Sequence, residues 1–211
     1  MFYKVKQSIK AVLFLCWYQL NKKKFGYLAP SAKVSRGVSI YNKKNLFMYD
    51  GSSLYPDSVI MNTRGKVVIK KKSGSAIGLT IITGNHISSV GTWRKDITDE
   101  MKDALNAKAD KDVIVEEDVW LGANVTLLSG TKIGRGAIIG TGSVVRSIIP
   151  PYAIAIGNPA KIIGFCFTPD EIVEHESYLY PIEERLPKEL LEKNHQKYFV
   201  KRIQEIKNIL K

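Results

Sequence analysis

A six-residue period of aliphatic positions runs through the second half of the chain. From Val115 the sequence divides into VEEDVW, LGANVT, LLSGTK, IGRGAI and IGTGSV, and a further unit begins at Val145. The first position of each unit is aliphatic, the second is Gly in three of the five, and the fifth is small or β-branched. This period matches neither the 3.6 residues of an α-helix turn nor the alternation of a simple strand. It predicts a triangular solenoid with one strand and one corner per unit. The aliphatic side chain points inward, and glycine supplies a corner backbone that a Cβ would oppose.

Fainter units of the same kind precede this block. Residues 28–33 and 34–39 form two units and Ile40 begins a third, whereas residues 46–82 are rich in β-branched residues, Gly and Ser but keep the phase poorly. We predict further coils in this stretch, with Ile69 and Ile77 inside.

The period fails between His86 and Val113. The segment 93–109, WRKDITDEMKDALNAKA, is charged and partly helical in pattern. We therefore expect residues 87–112 to form a loop extruded from the solenoid, and long loops in compact domains are usually functional.

Helical patterns follow the repeat. Thr168 is predicted to be an N-cap, with Pro169 at the first helical position and Glu171 closing a capping box. A second helix is predicted from Pro187 to Leu210, where it would cover the strand edges at the open end of the solenoid. The chain is expected to divide into an N-terminal helix at 1–26, a β-helix domain at 27–167 and a helical extension at 168–211.

Positive charge is concentrated near the N-terminus. The formal net charge is +12 over 211 residues, yet residues 1–72 alone hold fifteen basic and two acidic side chains. This asymmetry suggests an anionic partner, either a membrane surface or a phosphate-bearing substrate, with a solvated basic face as the alternative. Nucleic acid is not an expected partner, because no RNP, zinc-finger or helix-turn-helix pattern accompanies the charge.

The most apolar run, Ala11–Leu20, is too short to span a bilayer, which needs about 20 residues. Asn21 and three lysines follow it without a small-residue cleavage site, so secretion is not expected. Two interpretations stay open. The run forms a helix packed on the body of the protein, or an interfacial helix whose neighbouring lysines face anionic lipid. Two widely spaced cysteines, Cys16 and Cys166, fit a reducing compartment. We therefore expect a cytoplasmic protein, with peripheral membrane contact under the second interpretation.

A family resemblance is carried by the run that starts at Trp120, WLGANVTLLSGTKIGRGAIIGTGSVV, and by the later IPPYAIAIGNPAKII. These segments closely resemble the hexapeptide-repeat acyltransferases, nearest to the maltose, galactoside and xenobiotic O-acetyltransferases and the sugar acetyltransferases of polysaccharide pathways. The resemblance is dense over Val113–Gly164 and weaker over 28–86, and the GNPAK segment, Gly157–Lys161, is highly specific to the family. It implies a mainly β fold, the left-handed parallel β-helix. It also implies a homotrimer that binds acetyl-CoA between neighbouring solenoids, with no metal.

Acyl transfer to a hydroxyl needs a base, because an alcohol is a poor nucleophile at neutral pH, and histidine suits this role. His86, in TGNHISS, is the one histidine in the solenoid region, whereas His175 and His195 fall in predicted C-terminal helices. The resembled enzymes place their catalytic histidine on a loop at the same kind of junction, so His86 is the predicted general base. Asn85, beside it, is predicted to hydrogen-bond the acceptor, with a turn role as the alternative. Four carboxylates are candidates for orienting the His86 ring: Asp96, Glu116, Glu117 and Asp118.

The resemblance also assigns residues to the substrates. Trp120 matches a family tryptophan near the acceptor and thioester, with a core or interface role as the alternative. The Ala123 N–H would lie beside the thioester and hold the oxyanion, and Thr141 would contact the pantetheine arm. The far end of the CoA site would be lined by Arg146, Ser147 and Lys161, whose charges suit phosphates. The maltose and galactoside enzymes often carry Thr-Lys at 146–147, so the basic side chain is shifted by one here.

Other classes fit less well. A zinc carbonic anhydrase on this solenoid would need three histidine ligands, and a nucleotidyltransferase would need a nucleotide-binding domain that residues 1–27 cannot hold. A non-enzymatic scaffold is the remaining alternative to an enzyme. The acceptor stays open between two hypotheses. One is a sugar hydroxyl in envelope or capsular polysaccharide assembly, suggested by the basic N-terminus. The other is a xenobiotic such as an antibiotic hydroxyl, suggested by the resemblance and by the loop after His86.

Overall fold

The computed structural model describes residues 12–13, 16–105 and 110–210. Within them the chain forms a left-handed parallel β-helix of about six coils, which confirms the predicted fold class. Each complete coil gives one strand to each of three sheets, named A, B and C in the order in which the chain visits them.

The strands are two to five residues long. Sheet A contains β1 (Tyr27–Leu28), β4 (Leu46–Met48), β7 (Val67–Ile69), β10 (Val113–Val115), β13 (Lys132–Ile133) and β16 (Ile148–Ile149). Sheet B contains β2 (Lys33–Val34), β5 (Ser53–Leu54), β8 (Gly74–Ser75), β11 (Trp120–Leu121), β14 (Ile138–Ile139), β17 (Ala153–Ile156) and the antiparallel β18 (Lys161–Phe165). Sheet C contains β3 (Ser39–Ile40), β6 (Val59–Met61), β9 (Thr80–Ile82), β12 (Thr126–Leu127) and β15 (Val144–Val145).

The corners stack into three edges, named here by the sheets that they join: the AB edge, the BC edge and the CA edge. Residues 116–119, 122–125 and 128–131 are one corner of each edge. The inward residues of successive strands are six apart across every AB and BC corner, for example Leu28, Val34 and Ile40. All departures from six fall at the CA edge. There the inward residues are separated by eight, nine, 34, six and four positions in successive coils.

The interior follows the six-residue pattern. The predicted inward residues of the repeat are at most 2% exposed, and they are Val115, Leu121, Leu127, Ile133, Ile139 and Val145. The small or β-branched residues at the fifth position are also buried: Val119, Val125, Thr131, Ala137 and Ser143. The core is therefore a continuous column of aliphatic side chains flanked by small ones.

The proposed reason for glycine at the second position was wrong. The positive φ angles of the repeat occur at the fourth position, at Asp118, Asn124, Gly130, Gly136 and Gly142. The second-position glycines are needed for space, because a Cβ on Gly122 would lie 2.6 Å from the backbone nitrogen of Thr141 in the next coil. Asp, Asn and Gly tolerate the left-handed conformation best, so this signal was present in the sequence.

The phase predicted for the early coils was only partly right. Ile69 is buried, as predicted, but Ile77 is 51% exposed. Ser75 takes the inward position of that coil, and Leu79, which is fully buried, takes the fifth. The CA-edge insertions shift the phase between coils, and a reading at a constant six residues cannot follow them.

The long loop and the C-terminal extension carry the helices. The loop after β9 contains α1 (Asp99–Ala104), and the extension contains α2 (Pro169–Leu179), α3 (Lys188–Tyr198) and α4 (Ile203–Ile209). The predicted capping box at Thr168 is present in full. The prediction of a single helix from Pro187 to Leu210 is wrong, because the helix is interrupted at Phe199 and a short 3-10 turn follows. Leu191 of α3 and Ile206 of α4 are both buried.

A buried carboxylate fastens the extension to the solenoid. Glu176 of α2 is 1% exposed and accepts hydrogen bonds from the Tyr152 hydroxyl (3.0 Å), Arg135 Nη1 (3.1 Å) and the Leu186 N–H. Burial, together with the Glu176 charge, raises the pKa of Tyr152, so the hydroxyl keeps its proton. These bonds hold the C-terminal helices against the last coils.

The N-terminal helix is described only in part, because residues 1–11 and 14–15 lie outside the described residues. Residues 16–21 are helical, and Trp17 and Tyr18 pack against the core of the first coil. The Trp17 ring meets Phe25 edge-on, with 6.5 Å between ring centroids. Among the described helices none is both long enough and apolar enough to cross a membrane.

The corrected phase predicts a matched pair of stability effects. Leu79→Ala removes a fully buried side chain and should lower the free energy of unfolding by about 2–5 kcal/mol. Ile77→Ala, two residues away and half exposed, should change it by less than about 0.5 kcal/mol. Urea unfolding followed by circular dichroism measures both. Equal losses in the two variants would contradict this register.

Candidate functional site

His86 lies at the CA edge, where the chain leaves sheet C after β9 and enters the long loop. Its side chain is exposed, as is that of Asn85. Both line a groove of about 440 Å³. The other lining residues come from the CA corners of the first three coils and from the loop: Tyr41, Met61, Thr63, Arg64, Ile82, Gly84, Asp99, Lys102 and Asp110.

The backbone before His86 is held by a carboxylate on the returning arm of the loop. Asp110 Oδ1 accepts a hydrogen bond from the Asn85 N–H at 3.0 Å. Asp110 Oδ2 lies 3.1 Å from Arg64 Nε and 3.9 Å from Lys102 Nζ. The Asp110 side chain is only 13% exposed, so this bond is shielded from water. The two arms of the loop are therefore tied together directly beside His86.

Arg64 fastens the same loop to the solenoid. Besides Asp110 it pairs with Asp99 at 2.8 Å and with Asp103, both in α1. Sequence reasoning missed Arg64 and Asp110. The available signal was the aspartate cluster of the loop facing a lone arginine in the preceding CA corner, and only the fold shows that they meet.

None of the four carboxylates proposed to orient His86 does so within the described residues. Glu116, Glu117 and Asp118 lie at the AB edge, away from the His86 corner. There Glu116 pairs with Lys70 and with Lys132, and Glu117 pairs with Arg135 at 3.1 Å. Asp96 is in the loop with His86, and it is exposed.

The other two histidines pack among aromatic rings. His175 lies 5.1 Å from the Phe167 ring and 5.9 Å from that of Tyr152, measured between centroids. His195 lies 5.4 Å from Phe165 and 5.2 Å from Phe199. Both belong to the C-terminal helices and line no part of the His86 groove.

Ala123 and Thr141 stack on one another at the BC edge, in the fourth and fifth coils. The Ala123 carbonyl accepts from the Gly142 N–H at 2.8 Å. Within the described residues neither the Ala123 N–H nor the Thr141 N–H donates a hydrogen bond. A Cβ on Gly142 would meet no atom within 4 Å. This edge therefore offers a short column of backbone donors beside open space.

The GNPAK segment continues the BC edge. Gly157 has a φ of +96° and donates from its N–H to Ser143 Oγ at 3.0 Å. The Ala160 N–H donates to the Val144 carbonyl at 2.8 Å. The segment reverses the chain into β18, which begins at Lys161. Lys161 is exposed and lies 3.7 Å from Glu205.

The remaining predicted site residues divide between the two sides of the solenoid. Arg146 and Ser147 are exposed at the CA edge, two coils beyond His86. Trp120 points outward from sheet B and is 51% exposed, in the same coil as Ala123. It is therefore not a core side chain.

The structure thus groups the predicted residues at two edges of sheet C. His86, Asn85, Arg146 and Ser147 lie at the CA edge, whereas Ala123, Thr141 and Lys161 lie at the BC edge. Crossing sheet C from one edge to the other takes about five residues, or roughly 15 Å. The predicted base and the predicted oxyanion donor are not brought together within one copy of the chain.

The described residues hold no cluster of three or more His, Cys, Asp or Glu side chains able to bind a metal ion.

Part of the chain matches a model of a known protein family. The model, a bacterial transferase hexapeptide of six repeats, matches residues 112–147. Three relatives are similar to parts of the chain. A probable acetyltransferase of Mycobacterium tuberculosis is 33% identical over 133 residues, which is 62% of this chain and 43% of that protein. A chloramphenicol acetyltransferase of Klebsiella aerogenes is 48% identical over 59 residues, 28% of each chain. A putative lipopolysaccharide biosynthesis O-acetyl transferase of Escherichia coli is 53% identical over 51 residues, 24% of this chain and 26% of that protein. The chain thus spans less than half the length of these relatives.

Solved structures with the same fold include a hexapeptide-repeat acetyltransferase of Vibrio cholerae complexed with acetyl-CoA. Its TM-score is 0.59 at 22% identity, over 71% of this chain and 76% of that one. An N-acyltransferase of Bacillus cereus in complex with dTDP and 3-hydroxybutyryl-CoA has a TM-score of 0.51 at 18% identity, over 77% and 94%. At these identities the likeness concerns the fold. Together with the repeat and its buried phase, the matched model shows that the chain carries the hexapeptide repeat of bacterial transferases over residues 112–147, and that it resembles the hexapeptide-repeat acyltransferases.

Proposed function

We propose that this protein transfers an acetyl group from acetyl-CoA to a sugar hydroxyl, with His86 as general base. The site is formed between neighbouring copies of a homotrimer. The observation that carries the proposal is the order of residues along the solenoid axis. His86 is in the third coil, Ala123 in the fourth, Thr141 in the fifth, and Lys161 beyond the sixth. Coils rise by about 4.8 Å, so these residues suit an elongated acyl donor lying along the edge.

The axial order matches the parts of acetyl-CoA. The thioester would lie at Ala123, nearest the level of His86, and the pantetheine arm would follow the free N–H groups toward Thr141. The phosphates would lie near the basic Lys161 of one copy and near Arg146 and Ser147 of the next. Backbone donors preset where negative charge develops stabilise the transition state without reorganisation.

In the proposed chemistry, His86 takes one proton from the acceptor hydroxyl and later gives it to the leaving thiolate. A ring nitrogen of His86 removes the proton of the acceptor hydroxyl as its oxygen bonds to the thioester carbon. The Ala123 N–H stabilises the oxyanion of the tetrahedral intermediate. When the C–S bond breaks, His86 returns its proton to the leaving thiolate, and the ester and CoA are released.

The separation of the two edges of sheet C supports the proposed homotrimer. If three copies turn sheet C toward a common axis, the BC edge of each copy meets the CA edge of the next. The outward side chains of sheet C suit such packing because they are uncharged and mostly small: Ser39, Val59, Met61, Thr80, Ile82, Thr126 and Val144. Sheets A and B instead present charged or large side chains, such as Lys132 and Trp120.

The His86 groove favours a sugar over an apolar drug. Its lining includes the carboxylates of Asp99 and Asp110. It also includes the Lys102 amine, the Arg64 guanidinium and the exposed aromatic ring of Tyr41. Such a surface can hydrogen-bond several hydroxyls at once. The relative named for lipopolysaccharide biosynthesis supports a glycan acceptor, and the chloramphenicol acetyltransferase is the reason to test a drug as well.

A cytoplasmic location is part of the proposal. Cys16 and Cys166 are both free thiols, and Cys16 is exposed. An exposed free thiol fits a reducing compartment.

The base assignment is tested by His86→Ala with acetyl-CoA and a panel of sugar and drug acceptors. Because the variant loses the proton acceptor, kcat should fall by about 10²–10⁴-fold, while the Kd for CoA stays within about twofold. His175→Ala, at an aromatic contact outside the groove, is the matched control. Wild-type turnover in His86→Ala would refute the assignment. Failure of the wild-type protein to bind CoA would favour a scaffold, and turnover of drugs alone would favour the xenobiotic alternative.

Asp110 is predicted to act as a positioning residue. Asp110→Asn loses the charge that pairs with Arg64 and weakens the bond to the Asn85 N–H, so kcat should fall by about tenfold with the KM for acetyl-CoA unchanged. Asp103→Asn removes another Arg64 partner but has no bond to Asn85, and it should keep nearly full kcat. If both variants lose kcat equally, the effect belongs to the loop as a whole.

Mixed assembly tests the shared site. His86→Ala is defective at the CA edge, and Thr141→Trp, an exposed change at the BC edge, should block the pantetheine column. If each site uses one edge from each of two copies, co-expressing the two inactive variants should restore about a quarter of the wild-type activity per site. No recovery, with mixed oligomers demonstrated by tag pull-down, would place both edges in one copy.

A further inference from the structure

The outer side of the N-terminal helix is apolar and has no partner among the described residues. Val12, Leu13 and Leu20 are 58%, 63% and 73% exposed, and Cys16 is exposed as well. Within the helical residues 16–21, Cys16 and Leu20 lie one turn apart and about 160° from Tyr18, which packs on the first coil. The helix is thus held to the solenoid through Trp17 and Tyr18, and Val12, Leu13, Cys16 and Leu20 form an exposed apolar stripe.

The charged residues that precede Asp50 are all basic, and several of them lie on the first coil beside this stripe. The chain holds ten basic residues and no acidic one before Asp50. Lys23, Lys24, Lys33, Arg36 and Lys44 are exposed, and none of them forms an ion pair with any residue that the structure describes. An exposed apolar stripe surrounded by unpaired cations is the pattern of a helix that lies in the headgroup region of an anionic bilayer.

A second copy of the chain fits this surface less well. Two copies meeting through this end would bring like charges together at an apolar contact. In the proposed trimer, the three parallel solenoids would instead present three such surfaces on one side. Lipid binding by one copy is independent of acyl transfer, and only simultaneous binding through three helices depends on the proposed trimer.

We propose that the N-terminal helix and the first coil dock this protein on an anionic lipid surface. The outer face of the helix enters the headgroup layer, and the lysines bind the lipid phosphates. The CA-edge groove is formed by the first three coils, with Tyr41 from the first, so it lies within about 10–15 Å of this end. Where the proposed function holds, docking places the groove within reach of an acceptor carried by a lipid.

Vesicle sedimentation tests the docking directly. The full chain should partition onto phosphatidylcholine vesicles that contain phosphatidylglycerol, bind pure phosphatidylcholine vesicles much more weakly, and be released by high salt. Each lysine near an anionic surface is worth about fivefold in partition, so K23E/K24E should lower binding by at least about 25-fold. L13D/L20D, on the exposed apolar stripe, should lower it by a similar factor.

Matched variants at the opposite end are the controls. K193E/K207E changes the net charge equally on the C-terminal helices, and L179D/I182D changes exposed apolar residues there. Both should bind vesicles within about fivefold of wild type. Equal loss in these controls, equal binding to neutral vesicles, or no binding at all would overturn the proposal. If L13D/L20D lowers the oligomeric mass in the absence of lipid, the stripe contacts a second copy and the proposal is wrong. CoA binding and acetyl transfer to a soluble acceptor, measured in K23E/K24E, separate a failure of docking from a failure of the proposed function.

Discussion

Parallel stacking of coils about 4.8 Å apart is the constraint on which the rest of this structure depends. Each strand hydrogen-bonds to the strands of the coils directly before and after it, so a residue's height on the axis and its edge are set by its place in the six-residue unit. The inward column from Leu28 to Ala155 keeps this rule through every coil. Close stacking leaves too little space for a Cβ atom at the second position of several units. The backbone is left-handed at the fourth position.

Stacking also limits where the chain can be irregular. The AB and BC edges keep six residues per corner throughout, whereas the CA edge accepts insertions of two, three and 28 residues and one deletion of two. The 28-residue insertion leaves the ladder on either side intact, since β9 and β10 still pair with their neighbours. A loop that carries His86 can therefore be added at the CA edge without disturbing the BC edge, where the proposed acyl donor lies. A regular edge for the proposed acyl donor and a variable edge for the proposed acceptor would allow the acceptor loop to change while the donor edge is kept.

The sequence was sufficient for the fold and for part of the candidate site. The aliphatic positions from Val115 to Val145 predict the solenoid because burial selects them directly, and the capping box at Thr168 is a local signal that needs no tertiary contact. Ile77 was misplaced because phase shifts at the CA edge accumulate and no single residue marks them. The break at Phe199 accompanies tertiary contacts at the end of α3, where the His195 ring packs against Phe165 and Phe199, and a helical period does not contain that information.

In the candidate site, too, the sequence predicts what is local or periodic and misses what depends on tertiary contacts. His86 could be selected from the sequence because it stands where the period stops. Asp110 could not, because its contact with the Asn85 N–H joins two ends of a loop whose path is not periodic. The separation of His86 from Ala123 by the width of sheet C was also invisible, since the sequence gives the order of coils but not which edges meet in an assembly.

The two ends of the axis differ in a way that gives the proposed site a direction. At the C-terminal end the helices are fastened by Glu176, which joins Tyr152 and Arg135 in a buried network. That end is closed, and the proposed phosphate contacts lie beside it. At the N-terminal end one helix packs through Trp17 and Tyr18 and leaves its apolar stripe and its lysines exposed. The donor would therefore extend toward the closed end, and the acceptor groove, formed by the first three coils, lies nearer the basic end. Because the coils are rigidly stacked, any surface that binds the basic end also fixes the distance from that surface to His86. An acceptor anchored in that surface would reach the base only if its hydroxyl stands about two to three coils above the headgroups, roughly 10–15 Å. The solenoid would in that case select acceptors by how far they project from a membrane, as well as by the groups that line the groove.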